Sequence, residues 1–461
     1  MSQATRLATD EANQDLSLVH GNLWRAIWVM SWPLLLTTIC GSLVGLTDMY
    51  CAGTLGSAQQ AAVGVSEQII FMFMVFILST AVGTTAIVSR AYGAGNLKEA
   101  QFSTAQSICF SVMMGLTLSA ISLTFARYGV SILAKSPDVV AFGRSYLSIY
   151  TLFLIPLSVQ AICNAAFRAI GKTKLTLLVV GSMTAINIAG DFLTVIANQP
   201  VPGLGIRGIA YSGVIASFFG AGLAIYLLSR SELKESLKLL FPLNREMIMR
   251  VVRLGIPAAI QRMGWSLSVF ALFFILNQCP NPTSALASWT IGMRVEALVF
   301  MPLMALSLSV SSIVGQNLGA KLPDRAIQAG WKVTWIGIWM MVVAGAGLFL
   351  LSGNLAHRMT HDPVTVTYTQ QYLQINSLAE PFLAVGMILS GALQGAGDTR
   401  TPMWISICSH WVIRMPVAWY LADRLHWGPS GAWTGMAVSI VIMAILAGWR
   451  FQSKAWLESK V

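Results

Sequence analysis

Three acidic residues lie inside long apolar stretches of the first half of the chain: Asp48, Glu67 and Asp191. No Lys or Arg lies inside the same stretches to neutralise them. A charge in hydrocarbon costs at least a few kcal/mol, so such acids are seldom kept without a function. Asn187 precedes Asp191 by four residues and therefore lies on the same helical face. The residue types suit a cluster that binds and releases a proton or Na+.

The position of these acids along their stretches allows two interpretations. If the first stretch runs outward and the second returns, Asp48 and Glu67 both lie toward the outer end, and Asp191 reaches a similar depth. We therefore expect Asp48, Asn187, Asp191 and Glu67 to form a cation-coupling site. Alternatively, Asp48 and Glu67 lie at the membrane interface, where each is hydrated or caps a helix end.

The second half has the opposite charge pattern, because its apolar stretches contain Arg262, Arg294 and Arg414 against Glu296 and Glu380. Arg294 and Glu296 are two residues apart and cannot face each other on one helix. One interpretation is that these charges pair between different helices. The other is that a surplus arginine faces a cavity and attracts an anionic group of a substrate.

Aromatic residues near these arginines could form part of a substrate cavity. Trp265 and Trp289 are large and polarisable, and would contribute an adaptable apolar wall. Singly, each also suits the protein core or a lipid-facing surface. The predicted substrate cavity comprises Arg262, Trp265, Trp289, Arg294, Glu296, Glu380 and Arg414.

The composition identifies the environment in which these residues must be positioned. Charged residues are 10% of the chain, against about 25% in soluble domains, and the mean hydropathy is +0.68. Apolar runs of about 20 residues, long enough to cross a bilayer, recur along the whole length. The twelve predicted spans are 26–50, 61–86, 103–126, 144–164, 175–197, 209–229, 250–278, 285–314, 331–353, 366–391, 402–422 and 431–450.

The distribution of Lys and Arg predicts the orientation of these spans. With the N-terminus inside, 20 of the 29 basic residues lie on the inner side, six on the outer side and three within spans. We therefore expect both termini in the cytoplasm of a bacterial cell and the spans in its inner membrane. The net charge of +11 then reflects orientation and does not indicate nucleic-acid binding. Residues 1–24 lack the apolar core of a secretory signal.

The segment between the halves is the longest charged stretch, which suits a solvated linker or a helix lying along the membrane surface. The predicted domains are a cytoplasmic tail at 1–24, a first lobe at 25–229, a cytoplasmic linker at 230–249, a second lobe at 250–450 and a tail at 451–461.

The two halves share a repeated pattern of glycines. Gly93 and Gly319 lie in similar contexts, as do Gly171 and Gly397, and both pairs are 226 residues apart. The turns at Gly171 and Gly397 resemble phosphate-binding loops, but Ala166 replaces the first required glycine. We therefore predict structural turns there, and helix stops with left-handed backbone at Gly93 and Gly319. Duplicated halves in a membrane protein are typical of transporters.

Proline is repeated as well, at Pro33 and Pro257, which are 224 residues apart. A proline inside a helix removes one backbone hydrogen bond and permits a kink. Such positions suit helices that bend during a transport cycle.

The motifs at Val88–Ala100 and Val314–Ala326, with the stretches 294–320 and 389–399, resemble those of the multidrug and toxic compound extrusion (MATE) family. The resemblance implies twelve helices in two six-helix lobes around a central cavity. It also implies export by alternating access, driven by H+ or Na+. Similar members place an aspartate in the first helix and Asn-x-x-x-Asp in the fifth, matched by Asp48, Asn187 and Asp191. Another branch uses acids in the seventh and tenth helices, of which this chain has only Glu380.

The sequence therefore predicts an all-α membrane protein of twelve transmembrane helices in two pseudo-symmetric lobes. We expect a monomeric antiporter that exports drugs, toxic compounds or aromatic metabolites, with aromatic or amphipathic small molecules and the bilayer as its partners. It should use no cofactor besides the coupling ion and bind no metal through its six scattered cysteines. An enzyme is not expected, because only His410 of five histidines lies in a span. The alternative is a flippase of related fold for lipid-linked oligosaccharides.

Overall fold

A computed structural model describes residues 17–133, 136–197 and 203–459, and these residues are helical almost throughout, without a β-strand. The chain divides into two compact units, the first ending at Ile256 and the second beginning at Pro257. Most of the predicted N-terminal tail, residues 1–16, lies outside the described part, as do residues 460–461 of the C-terminal tail. The prediction of an all-α fold is confirmed.

The first unit contains six long helices, each formed by one of the predicted apolar runs. Asn22 begins the first of them, since its side chain accepts a hydrogen bond of 2.9 Å from the Trp24 N–H, as N-cap residues do. Gly56, with a φ of 134°, separates the first two helices. The six are α1 (Leu23–Leu55), α2 (Ser57–Gly93), α3 (Leu97–Leu133), α4 (Pro137–Ala169), α5 (Thr173–Ile196) and α6 (Ile206–Ser229).

The remaining helices begin at the end of the first unit and continue through the second. Proline occupies the first helical position of four of them, where its missing N–H costs nothing. They are α7 (Arg245–Leu276), α8 (Pro282–Gly319), α9 (Pro323–Met359), α10 (Pro363–Gly395), α11 (the consecutive segments Arg400–Ile407, Cys408–Arg414, Met415–Trp419 and Tyr420–Arg424) and α12 (Pro429–Gln452).

Eleven of these helices are long and apolar enough to cross a membrane, counted over the described residues. The remaining predicted span, 402–422, coincides with α11, which is divided by two π-helical stretches into segments too short to count singly. Pro416 contributes to this division, because it has no N–H to donate to the preceding turn. The difference concerns the regularity of α11 and not its helical character.

Matching irregularities confirm that the halves repeat one another. A π-helical turn ends α5, where the Ala197 N–H donates to the Phe192 carbonyl over 2.9 Å. Another ends α11, where the Leu425 N–H donates to the Tyr420 carbonyl over 3.1 Å. In both cases the bond spans five residues, as is typical of π-helix.

The predicted helix stops at Gly93 and Gly319 are confirmed, but the predicted left-handed residues are wrong. Both glycines are the last helical residues of α2 and α8, and positive φ occurs two positions later, at Gly95 (72°) and Lys321 (59°). The prediction failed because the stop requires left-handed backbone one step past the cap, not at the last helical residue.

The turns at Gly171 and Gly397 are structural, as predicted. Their φ angles are 88° and 94°, which only glycine adopts without strain. The next N–H groups donate back across the turn, from Lys172 to the Phe167 carbonyl (2.8 Å) and from Asp398 to that of Leu393 (2.9 Å). These bonds satisfy the last carbonyl groups of each helix.

The linker between α6 and α7 is held against α3 instead of forming a long surface helix. Gln101 donates to the Glu232 carbonyl over 2.7 Å. Gln106 donates to the Leu239 carbonyl over 3.1 Å and accepts from the Asn244 N–H over 2.8 Å. Only the short 3-10 segment Lys234–Lys238 is helical between α6 and α7.

Candidate functional site

The first unit brings two of the predicted acids together deep in the protein. Asp48, near the end of α1, is 2% exposed, and Asp191, in α5, is fully buried. Their carboxyl groups are close enough to interact electrostatically. Two carboxylates repel each other and neither can donate a hydrogen bond. Such a pair is stable only when it shares a proton or a cation.

Three of the four carboxyl oxygens of this pair lack a hydrogen-bond donor among the described residues. Both Asp191 oxygens, Asp48 Oδ1 and Asn187 Oδ1 are buried and accept no hydrogen bond from the described residues. Thr184 Oγ1 is also buried, without a hydrogen-bond partner in the described part of the chain. Thr184, Asn187 and Asp191 follow the i, i+3, i+7 spacing and so share one face of α5. Clustered carboxylate, amide and hydroxyl oxygens are ligands that suit a proton or a hard cation.

Two tyrosines of α4 form the wall of this carboxyl cluster. The rings of Tyr146 and Tyr150 are stacked with centroids 5.0 Å apart, and both lie within electrostatic range of Asp48, Glu67 and Asp191. The Tyr146 hydroxyl is buried without a hydrogen-bond partner among the described residues. These tyrosines were not among the site residues predicted from the sequence. Their spacing of four residues, which places two hydroxyls on one helical face, was the available signal.

Glu67 lies in α2, half-buried and within electrostatic range of Asp48. It is well inside its helix, which begins at Ser57, and Asp48 lies several residues before the end of α1. Neither acid therefore caps a helix end. The structure places Glu67 at the margin of the carboxyl cluster formed by Asp48, Asn187 and Asp191.

Small residues allow the helices around the cluster to approach closely. A Cβ at Gly213 of α6 would lie 2.8 Å from the Tyr150 ring, and one at Gly190 of α5 would lie 2.8 Å from Ser212 Oγ. Ser212 adjoins Asp191, but its hydroxyl donates to the Gly208 carbonyl over 2.9 Å. Close packing of the described helices thus encloses the cluster but does not provide hydrogen bonds to three of its four carboxyl oxygens.

The second unit treats its buried charges differently. Tyr372 donates a hydrogen bond of 2.6 Å to Glu296, and Arg414 Nε donates to Ser439 Oγ over 2.9 Å. Glu296 and Arg414 interact electrostatically, without an ion pair within 4.0 Å in the described part of the chain. The direct pairing that the sequence suggested is therefore not observed there. Glu380 is 4% exposed and its Oε2 accepts no hydrogen bond from the described residues.

The other residues of the predicted substrate cavity do not form a common wall. Trp289 is 3% exposed and packs face to face with Trp433, with ring centroids 5.6 Å apart. It is therefore a core residue and not part of an open wall. Trp265 and Arg294 are exposed, and Arg262 is half-buried.

Comparison with known proteins shows to which family the chain belongs. The MatE family model matches the chain twice, over residues 33–193 and 257–420. The chain belongs to the MatE family. The two matches begin at Pro33 and Pro257, the proline pair of the repeat, and confirm that the halves are copies of one unit. MatE proteins are multi-pass membrane transporters, in agreement with the resemblance seen in the sequence.

Individual relatives extend over almost the whole chain. A probable multidrug resistance protein NorM of Thermotoga maritima is 27% identical over 436 residues, covering 94% of this chain and 93% of its own length. The probable multidrug resistance protein YoeA of Bacillus subtilis is 25% identical and covers 92% of both chains. The crystal structure of a mutant of the MATE transporter VcmN of Vibrio cholerae is also similar, with a TM-score of 0.86. Its sequence is 20% identical to this one, and the alignment covers 94% of this chain and 96% of that one.

Proposed function

We propose that this chain is a secondary-active antiporter that exports drugs, toxic compounds or aromatic metabolites in exchange for H+ or Na+. The observation that carries the proposal is the carboxyl cluster of the first unit, whose buried oxygens have no donor among the described residues. The names of relatives, which describe probable multidrug resistance proteins, support drugs and other xenobiotics as the substrate class. Membership in the MatE family favours this function over a lipid-linked oligosaccharide flippase.

In this proposal, Asp48 and Asp191 exchange the coupling ion. When the ion binds, it removes the repulsion between the two carboxylates and stabilises the contact of α1 with α5. When the ion leaves, that repulsion favours their separation. Asn187 contributes a neutral oxygen ligand on the same face of α5, and Glu67 adds negative charge at the margin. The affinity for the ion is thereby coupled to the position of α1.

The helix that carries Asp48 is suited to such movement. Pro33 lies inside α1 and leaves one carbonyl of the preceding turn without its helical hydrogen bond. Bending at Pro33 would displace Asp48 relative to Asp191 with little loss of other backbone bonds. Alternating access in this protein would use that displacement to link ion exchange with substrate release.

We also propose the membrane, the orientation and the oligomeric state in which the protein acts. The distribution of Lys and Arg supports cytoplasmic termini, and the relatives' bacterial sources support the bacterial inner membrane. We propose a monomer that acts on aromatic or amphipathic small molecules. An anionic group on the substrate, attracted by an arginine of the second unit, stays a prediction.

Efflux of a fluorescent cationic dye from proteoliposomes, under separate proton and sodium gradients, tests the function. The wild-type protein should concentrate the dye against its gradient with one of the two ions. Asp48→Asn and Asp191→Asn should each reduce the coupled rate by at least about tenfold, because an amide cannot exchange the proton or carry the charge.

Glu380→Gln in the second unit is the matched control, since it removes an equally buried carboxyl group. It should leave most of the coupled efflux intact at equal expression. Near-normal coupled efflux by both aspartate variants would contradict the proposed site, and the absence of efflux with either ion would contradict antiport.

A further inference from the structure

A groove on the outside of the first unit contains two arginines that have no acidic partner within the described ranges of the chain. It has a volume of about 430 Å³ and lies between α4 and α6. Arg144 and Arg207 are both exposed, and neither forms an ion pair with any acid of the described residues. Arg207 Nε donates to Ser145 Oγ over 2.6 Å, which fixes one guanidinium at the groove. The lining residues are Arg144, Ser145, Ser148, Ile149, Arg207 and Tyr211.

The surface that continues from this groove is apolar. Along α6, exposed side chains follow Arg207 at the spacing of one helical face, with Tyr211 43%, Ile215 60%, Phe218 50% and Phe219 48% exposed. An apolar face of this extent is stable against hydrocarbon and not against water. The groove therefore has guanidinium groups first, then a tyrosine, and then an aliphatic and aromatic face. This order matches that of a phospholipid, in which the phosphate is followed by the glycerol and the acyl chains.

The second unit provides an internal control for the role of these charges. By the offset of 226, Gln370 and Gln371 correspond to Arg144 and Ser145. Ser430 corresponds to Arg207, since both follow a glycine of similar conformation by two residues. There Ser430 donates to Gln371 over 2.9 Å. The same contact between helices is thus made without any charge, so the packing of α4 against α6 does not require the arginines.

We propose that Arg144 and Arg207 bind the phosphate of an anionic phospholipid, whose acyl chains lie along the exposed face of α6. Arginine binds phosphate through paired N–H donors, and membrane-surface arginines attract anionic lipids. In the proposed orientation the site belongs to the outer leaflet. It is independent of the carboxyl cluster and of the coupling ion.

Native mass spectrometry of the purified full-length protein, titrated with phosphatidylglycerol, tests the site. The double variant Arg144→Gln/Arg207→Gln should bind the first, most tightly held phosphatidylglycerol molecule at least about tenfold more weakly than the wild type does. Arg144→Lys/Arg207→Lys retains both charges but not the paired N–H donors, so its affinity should lie between those of the wild type and the double variant. Arg424→Gln, which removes an exposed arginine of the second unit, is the matched control and should change nothing.

Two further titrations identify the ligand. Phosphatidylcholine should bind wild type and double variant alike, and excess inorganic phosphate should not displace phosphatidylglycerol. Unchanged phosphatidylglycerol affinity in the double variant, equal loss of phosphatidylcholine, or displacement by inorganic phosphate would each overturn the proposal. If the double variant does not fold, Ser148→Phe is used instead, because it fills the groove and retains both charges. Ser148→Phe should weaken phosphatidylglycerol binding. Undiminished binding by this variant would contradict the site.

Discussion

The two units share one helical plan and differ in how their buried polar centres are compensated. The first unit's acids have no counterparts in the second. By the repeat offsets, Asp48, Glu67 and Asp191 correspond to Leu272, Met293 and Val417. Conversely, Glu380 and Arg414 of the second unit correspond to Leu154 and Ile188 of the first. The duplication preserved the helices and their turns while each half acquired its own ionisable residues.

One pair of equivalent residues shows the consequence. Tyr146 and Tyr372 occupy the same position of the repeat and are both fully buried. The Tyr372 hydroxyl donates to Glu296, whereas that of Tyr146 has no partner among the described residues. The second unit compensates Glu296 with an internal donor, Tyr372, and an internal cation, Arg414. In the carboxyl cluster of the first unit, three of the four carboxyl oxygens accept no hydrogen bond from the described residues, and we infer that the compensation comes from an exchangeable ion.

The largest predicted effect on stability concerns that internal cation. Arg414 is 5% exposed and interacts electrostatically with Glu296. Replacing it by Leu leaves Glu296 uncompensated, which should destabilise the protein by about 3 kcal/mol, measured as a lower melting temperature in detergent. Arg414→Leu combined with Glu296→Gln should recover part of the loss. Arg424→Gln, an exposed control, should leave the melting temperature unchanged, and an unchanged Arg414→Leu protein would refute internal compensation.

A smaller effect is expected at the equivalent helix stops, where the halves use different residues. Gly95 and Lys321 both have positive φ, which costs a side-chain residue about 1 kcal/mol relative to glycine. Gly95→Ala should therefore lower the melting temperature and Lys321→Gly should raise it. Gly181→Ala, in a helical position where a Cβ meets no atom within 4 Å, is the control and should not destabilise. A higher melting temperature for Gly95→Ala, or a lower one for Lys321→Gly, would disprove the left-handed assignment.

The smallest effect is expected at the N-terminus of α10. Asp362 accepts hydrogen bonds from the Thr365 N–H (2.9 Å), the Thr365 hydroxyl and Ser284 Oγ (3.0 Å). Hydrogen bonds from Thr365 and then Ser284 lower the pKa of the Asp362 carboxyl group. Its equivalent Ser136 makes no capping hydrogen bond at α4. Asp362→Ala should therefore reduce the melting temperature slightly, and Ser136→Ala should not.

The pH dependence of this cap has a definite sign. A lowered pKa means that the folded protein favours the ionised carboxylate, so the stabilisation is present above the ordinary aspartate range. It is lost as the pH falls through the lowered pKa of Asp362. The difference in melting temperature between wild type and Asp362→Ala should accordingly vanish in acid, and a difference that grows in acid would contradict the assigned hydrogen bonds.

Much of the fold could be predicted from the sequence, because apolar runs of bilayer length and repeated glycines specify helices and turns directly. The regularity of α11 could not, since π-helical stretches depend on packing that periodicity does not encode. The positions of left-handed residues were missed by two places for a similar reason. A glycine marks the region of a stop, while the hydrogen bonds of the turn select the residue.

The site was predicted in part. Shared depth along neighbouring spans was enough to place Asp48 near Asp191. The role of Tyr146 and Tyr150 was missed because an aromatic residue in an apolar run resembles an ordinary core residue. Trp289 was predicted to line a cavity but is a core residue. The prediction failed because Trp289 stacks on Trp433, which is distant in the sequence.

The central claim is that the first unit, and not the second, exchanges the coupling ion. The most direct test measures proton release and bound radioactive Na+ when substrate is added to purified wild-type, Asp191→Asn and Glu380→Gln protein. We predict that substrate displaces one of these ions from the wild type and from Glu380→Gln, and none from Asp191→Asn. Undiminished ion displacement in Asp191→Asn, or its loss in Glu380→Gln alone, would contradict the claim.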